Sequence, residues 1–212
     1  MSFFSLENIS EQDQQTVEAL IGATRKLIEL GKSLDFSMQD IAGKAGVDIA
    51  KAQVLFKEPV DIFLLITQSY FVDIRRRFEE ELKRVNSNDD FATAAESWVN
   101  SFYETARDDV VKLVLWLNMD QHEELKTLAT QNRKANARLL ADAVLRVHPK
   151  CNYESIYQST WLLMQMASLS LTNQNEQASK ENFDFAKEFR DLIKLNIDTR
   201  LPSKRTRPLT SV

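Results

Sequence analysis

The side chains with the widest chemical repertoire are few: His122, His148 and Cys151. An imidazole beside a carboxylate is a common start for general acid–base chemistry, and His122 is followed by Glu123 and Glu124. Neighbours in a helical sequence point to different faces, however, so this run does not make an acid–base pair. No His-x-x-x-His and no Cys/His spacing of a metal site occurs. Cys151 follows Pro149 and Lys150 in an expected loop. A nearby lysine can activate a thiol, but a solitary inert cysteine is the commoner case. The carboxylates are many and fall on polar faces, with no pair set apart for acid and base roles. The chain is therefore not expected to be an enzyme, and neither a metal nor a cofactor is expected.

A second set of residues could bind rather than react. Trp98, Phe102, Tyr103, Trp116 and Met119 form one bulky cluster, and Tyr157 to Met166, with Trp161 and Met164, another. Aromatics and methionine fill bundle interiors, and the same residues line apolar pockets between helices. Trp98, Phe102, Trp116, Met119, Tyr157, Trp161 and Met164 are the candidate lining residues.

The elements that must position these groups read as helices throughout. All four glycines, Gly22, Gly31, Gly43 and Gly46, lie early, and none follows Gly46. Hairpins and phosphate-cradling loops usually need glycine at positive φ, so the rest reads as helices joined by short polar loops. The spacing predicts an all-α chain of about nine helices. A first helix spans 11–30, with Gly31 where a C-terminal cap belongs. Later helices are expected at 60–85, from Asp89 or Asp90, at 110–117, 121–147, 153–171 and 183–200, with a polar linker at 172–180. Each arginine of Arg75-Arg76-Arg77 has a glutamate four residues on, which predicts a laced, solvated helix face; a phosphate clamp is the alternative.

Between the first and fourth helices lies the most specific pattern. Ser37 with Asp40 three residues later is a capping box. Ile41, Ala42 and Ala45 follow, then Gly46 at a tight turn, and Asp48 caps a short helix reaching Phe56. Two helices joined by a glycine turn make a helix-turn-helix, whose second helix can lie in the DNA major groove. A plain helical hairpin in a bundle carries the same spacing.

Residues 14–66, about a quarter of the chain, resemble the N-terminal domain of the tetracycline-repressor family. The matching pieces are ALIGATRKLIELG (19–31), FSMQDIAGKAGV (36–47), LFKE (55–58) and DIFLLI (61–66). The resemblance implies a DNA-binding domain at 1–58, a helical ligand-binding and dimerisation domain at 59–201, and a small apolar effector. It implies a regulator, in the first instance a repressor, that leaves a double-stranded operator when the effector binds. A binding module of the same fold without DNA is the alternative. In the family's pattern a tyrosine stands where this chain has Gln53, and a lysine where it has Pro59. Between Ser10 and Val60 there are six lysines and arginines against eight aspartates and glutamates, a thin inventory for phosphate. The candidate DNA-contacting residues are Ser37, Ile49, Ala50, Lys51, Gln53, Val54 and Lys57.

Leu162, Leu163, Met166, Leu169, Phe185, Phe189, Leu192, Ile193, Leu195 and Ile197 wrap more than one face of the last two helices. That surplus predicts a homodimer through helices 8 and 9. The tail 202–212, with Lys204, Arg205 and Arg207, is expected to be disordered. No apolar run approaches the roughly 18–20 residues that span a bilayer, the first ten residues lack the features of a secretory signal, and one cysteine suits a reducing compartment. A cytoplasmic protein without a membrane partner is expected.

Overall fold

A computed structural model of the chain describes residues 10–177 and 185–200. Every regular element among them is helical: α1 (Glu11–Gly31), α2 (Met38–Ala45), α3 (Ile49–Leu55), α4 (Pro59–Lys83), α5 (Asn88–Asp108), α6 (Val110–Leu117), α7 (Glu123–Val147), α8 (Tyr153–Gln177) and α9 (Phe185–Arg200). A single 3-10 turn, Met119–Gln121, precedes α7. The all-α expectation holds. The expected tail 202–212 lies outside the described residues.

Two compact units are present, one from the described part of Met1–Arg76 with Ser101–Asn132, the other from Arg77–Asn100 with the described part of Arg133–Val212. In the first, Leu20 and Ile28 of α1, Ile41 of α2, Ala52 of α3, Phe63 of α4 and Leu115 of α6 meet in one buried cluster. On α1 the buried Val17, Leu20, Thr24 and Ile28 are spaced three and four apart, which makes one inward stripe. In the second, Phe78 and Leu82 of α4, Phe91 of α5, Leu140 and Val144 of α7, Met164 of α8, and Phe189 and Ile193 of α9 are buried. Arg146 donates to the carbonyls of Leu82 and Val85, acceptors that the end of α4 leaves open.

Several local expectations are corrected. α1 runs through Gly31, and Lys32 is the left-handed residue that ends it, with φ 49° and its N–H bonded to the Ile28 carbonyl at 2.7 Å. The hydrogen bond fixes where the helix closes, and that is one residue past the glycine. A side chain in this conformation costs about 1 kcal/mol. Lys32→Gly is therefore expected to raise stability by about 1 kcal/mol, read as a rise of roughly 2–4 °C in thermal midpoint. An unchanged midpoint refutes the strain.

α8 continues to Gln177 across the first part of the expected linker. The added stretch includes no glycine or proline, and a run of polar residues does not by itself end a helix. α5 begins at Asn88, ahead of the expected Asp89 or Asp90, because Ser87 Oγ accepts from the Asp90 N–H at 3.2 Å. The expected arginine–glutamate ladder is not the pairing seen. Arg75 donates to Asn132 of α7 at 2.6 Å and Arg76 lies 3.7 Å from Asp73. Arg75 thus pairs with another helix and Arg76 with a residue one turn back, contacts that spacing along one helix does not reveal.

Candidate nucleic-acid interface

The helix-turn-helix is assembled from caps. Ser37 Oγ accepts from the Asp40 N–H at 3.2 Å, and the Asp40 carboxylate accepts from the Ser37 N–H and hydroxyl, both at 2.7 Å. These hydrogen bonds from Ser37 hold the Asp40 carboxyl below the usual aspartate range. Gly46 ends α2 with φ 68°, and Val47 N–H reaches back to the Ala42 carbonyl at 3.0 Å. Asp48 then accepts from the N–H groups of Ala50 and Lys51, which starts α3 immediately after the turn.

Ala52 and Phe56 of this segment are buried and Leu55 packs against the same core, which leaves a different side of α3 turned out. Ile49, Ala50, Gln53 and Val54 are exposed, Val54 at 85%. Spacings of one, three and four residues put all four on one helical face. Lys57, just beyond, is exposed.

Two candidate contacts are otherwise engaged. Lys51 is half-buried, its Nζ 4.0 Å from Asp13 of α1. The Ser37 hydroxyl is held by Asp40. Asp61 accepts from the N–H groups of Lys57 and Glu58 at 2.9 and 3.1 Å, capping α4. Each of α2, α3 and α4 thus opens on a carboxylate of its own.

A half-buried polar link in the first unit escaped the sequence. Arg25 of α1 donates to the Tyr70 hydroxyl of α4 at 2.7 Å, and that hydroxyl donates to Asp109 at 3.1 Å. Asp109 is also the N-cap of α6, accepting from Lys112 N–H. The Lys112 ammonium sits 4.4 Å from the Tyr70 ring centroid. Burial pushes the Tyr70 hydroxyl well above its ordinary range, with Arg25 opposing and Asp109 adding to the rise. One side chain thereby ties α1, α4 and the start of α6. In the sequence Tyr70 is one more bulky residue on an apolar stripe, and its partners lie 45 and 39 residues away.

The candidate pocket residues fall in both units. In the first, Met119 is buried in the core cluster and Trp116 packs edge-on to Phe71, centroids 6.3 Å apart. In the second, Trp98 lies 5.3 Å from Phe78, Tyr157 stacks on Tyr153 at 6.2 Å, Lys134 approaches the Trp161 ring at 5.9 Å, and Met164 is buried. The Phe102 side chain lies outside the description. A cleft of about 260 Å³ in the second unit is lined by Glu81, Arg84, Asp90, Thr93 and Ser97, with Val85 and Ala94, and by none of those candidates.

On α8 and α9 the apolar residues divide. Leu163, Phe189 and Ile193 are buried, whereas Leu162 and Leu195 are 60% and 61% exposed, and Met166 and Leu192 are also exposed. The side chains of Leu169, Phe185 and Ile197 lie outside the description.

The residues first considered for chemistry have structural surroundings. The His122 ring packs edge-on to Phe63 at 5.9 Å, and His148 Nε2 lies 2.6 Å from Asn88 Oδ1. Cys151 is a half-buried free thiol. Among the described residues no group of three His, Cys, Asp or Glu is placed to hold a metal, and no helix is long and apolar enough to cross a membrane.

No family sequence model matches the chain, and no curated protein matches it by sequence. Solved structures do match in fold. SmeT, the repressor of the Stenotrophomonas maltophilia multidrug efflux pump SmeDEF, has a TM-score of 0.64 at 12% identity, covering 94% of this chain and 97% of that one. AlkX, a TetR family repressor from Dietzia sp. strain DQ12-45-1b implicated in biodegradation of n-alkanes, has a TM-score of 0.57 at 12% identity, covering 95% of this chain and all of that one. The fatty acid degradation regulator FadR from Bacillus halodurans has a TM-score of 0.55 at 13% identity, with 95% of this chain covered. The chain has the fold of the TetR-family regulators.

Proposed function

We propose that the chain is a homodimeric transcriptional regulator that binds double-stranded DNA through α3 and responds to a small apolar molecule. The observation that carries this is the helix-turn-helix with α3 turned outward, set in a fold shared with repressors over 94–95% of the chain. Such a protein works where the DNA is, in the cytoplasm. Residues 1–58 would be the reader and 59–201 the effector-binding and dimerisation region. The exposed Leu162, Met166, Leu192 and Leu195 fit an isologous interface in which α8 and α9 of two copies form a four-helix bundle. Within the second unit Trp98, Tyr157, Trp161 and Met164 would supply apolar lining, and the n-alkane role of AlkX and the fatty-acid role of FadR favour an effector of that polarity.

The action would be mechanical. Operator half-sites lie roughly 34–36 Å apart, so altering the spacing of two α3 helices removes many contacts together. An effector that prefers one spacing shifts the population by that difference in affinity. The Arg25–Tyr70–Asp109 link gives a route by which movement of α4 or α6 reaches α1.

Selection of bound genomic fragments by the purified chain at low salt tests the proposal. Enrichment of a sequence is expected, with Lys57→Ala weakening all sequences alike and reducing the salt slope by about one unit. Gln53→Ala is expected to relax preference at one base position. A second use of the fold, as a ligand- or partner-binding module without DNA, is favoured by the carboxylates Asp40, Asp48 and Asp61 at the starts of α2, α3 and α4. Failure of the chain to bind any DNA at low salt decides for that module.

A further inference from the structure

We propose that α3 selects its operator through thymine methyl groups, reading A·T-rich half-sites by apolar contact rather than guanines by charge; this rests on the DNA-binding function proposed above. The outward face of α3 carries Ile49, Ala50, Gln53 and Val54. Three of these have no polar side-chain atom. The fourth is an amide with no hydrogen-bond partner among the described residues.

Each base pair presents a different edge in the major groove. Guanine offers two acceptors, matched best by an arginine or lysine, whereas thymine offers a methyl group and adenine an acceptor with a donor. α3 contains no arginine, and its one lysine, Lys51, is half-buried beside Asp13. The one cation of α3 thus has a carboxylate 4.0 Å away and lies outside the row of Ile49, Ala50, Gln53 and Val54. The face has apolar surface to desolvate methyl groups and one amide of the right form for adenine.

The ridges agree with this division. Ile49 and Gln53 lie one turn apart, as do Ala50 and Val54, so two adjacent rows run along the exposed face. Val54 is 85% exposed, and Asp48 at the helix start is already committed to Ala50 and Lys51 N–H groups. A side chain almost wholly open to a partner on this face is thus one that can make only apolar contacts.

Thymine and uracil differ in the groove by that methyl alone, which gives the test. An operator obtained by fragment selection is synthesised with thymine, and again with uracil at the half-site positions, and both are titrated with the full chain. Each methyl lost is expected to weaken binding about fourfold, as for one buried methyl-sized group, so two half-sites losing one each give about sixteenfold. Val54→Ala is expected to shrink the thymine-over-uracil ratio at one position per half-site. Equal binding of the two operators overturns the inference and leaves DNA binding standing. A preference that persists unchanged in Val54→Ala, Ile49→Ala and Ala50→Gly belongs to DNA shape and also overturns it. Enrichment of no sequence at all removes the DNA-binding function and the inference together.

Discussion

A chain carrying Leu162→Glu and Leu195→Glu is expected to sediment as a monomer and to bind its operator ~100-fold or more weakly, while keeping its helical circular dichroism. Leu162 and Leu195 are 60% and 61% exposed in the isolated chain, so neither glutamate needs to be buried there. Surface changes of this kind usually move stability by no more than about 0.5 kcal/mol. In a four-helix interface the same positions would lie against a twofold copy, and each glutamate would approach its mate or an apolar side chain without a partner. The effect on DNA follows from linkage of two readers. Once one α3 is docked, the second half-site is met at an effective concentration near the millimolar range, and losing that linkage costs about 10²–10⁴ in avidity. A dimer that survives both substitutions with unchanged operator affinity places the interface elsewhere.

How much of this was legible in the sequence depended on the reach of each interaction. Ser37 with Asp40 and the glycine at 46 are local devices, and the structure forms them at the residues where the spacing puts them. The boundaries of α6 were likewise set by nearby residues, with Asp109 as cap. Lys32 was missed as the end of α1 because a glycine beside it met the same rule at lower conformational cost. The surplus of apolar residues on α8 and α9 was visible as composition, but the split between buried Leu163 and exposed Leu162 required the neighbouring helices.

The candidate site was least legible where charge was involved. Lys51 and Ser37 were named for what their types can do. Their partners, Asp13 and Asp40, take up part of that capacity. Asp40 is near enough in sequence to be foreseen, but Asp13 comes from another helix. Tyr70, Arg25 and Asp109 had no signal at all, because no local pattern links residues that far apart. Periodicity finds which face is inward, and only the fold assigns the partner.

Phe63→Ala is expected to be the most damaging single change among those considered, lowering stability by about 3–5 kcal/mol. Phe63 is 1% exposed in the core of the first unit. Its ring meets Phe36 edge-on at 5.4 Å and the His122 ring at 5.9 Å. Phe36 directly precedes the Ser37 cap, so the aromatic contact helps seat the start of α2 against α4. Removing the ring leaves a cavity among the residues that α1, α2, α4 and α6 contribute, and a close-packed helical core closes such a void only partly. Domains of this kind are stable by about 5–15 kcal/mol in total, so the thermal midpoint should fall by roughly 10 °C, and operator binding should be lost at temperatures the native chain tolerates. Val54→Ala is the control, since an 85% exposed side chain has little packing to lose and should shift the midpoint by no more than about 1–2 °C. Phe63→Leu should fall between the two. Equal midpoints for Phe63→Ala and Val54→Ala would mean that the reader is not held by this core, and hydrogen exchange along α2 would then be as fast in the native chain as in the variant.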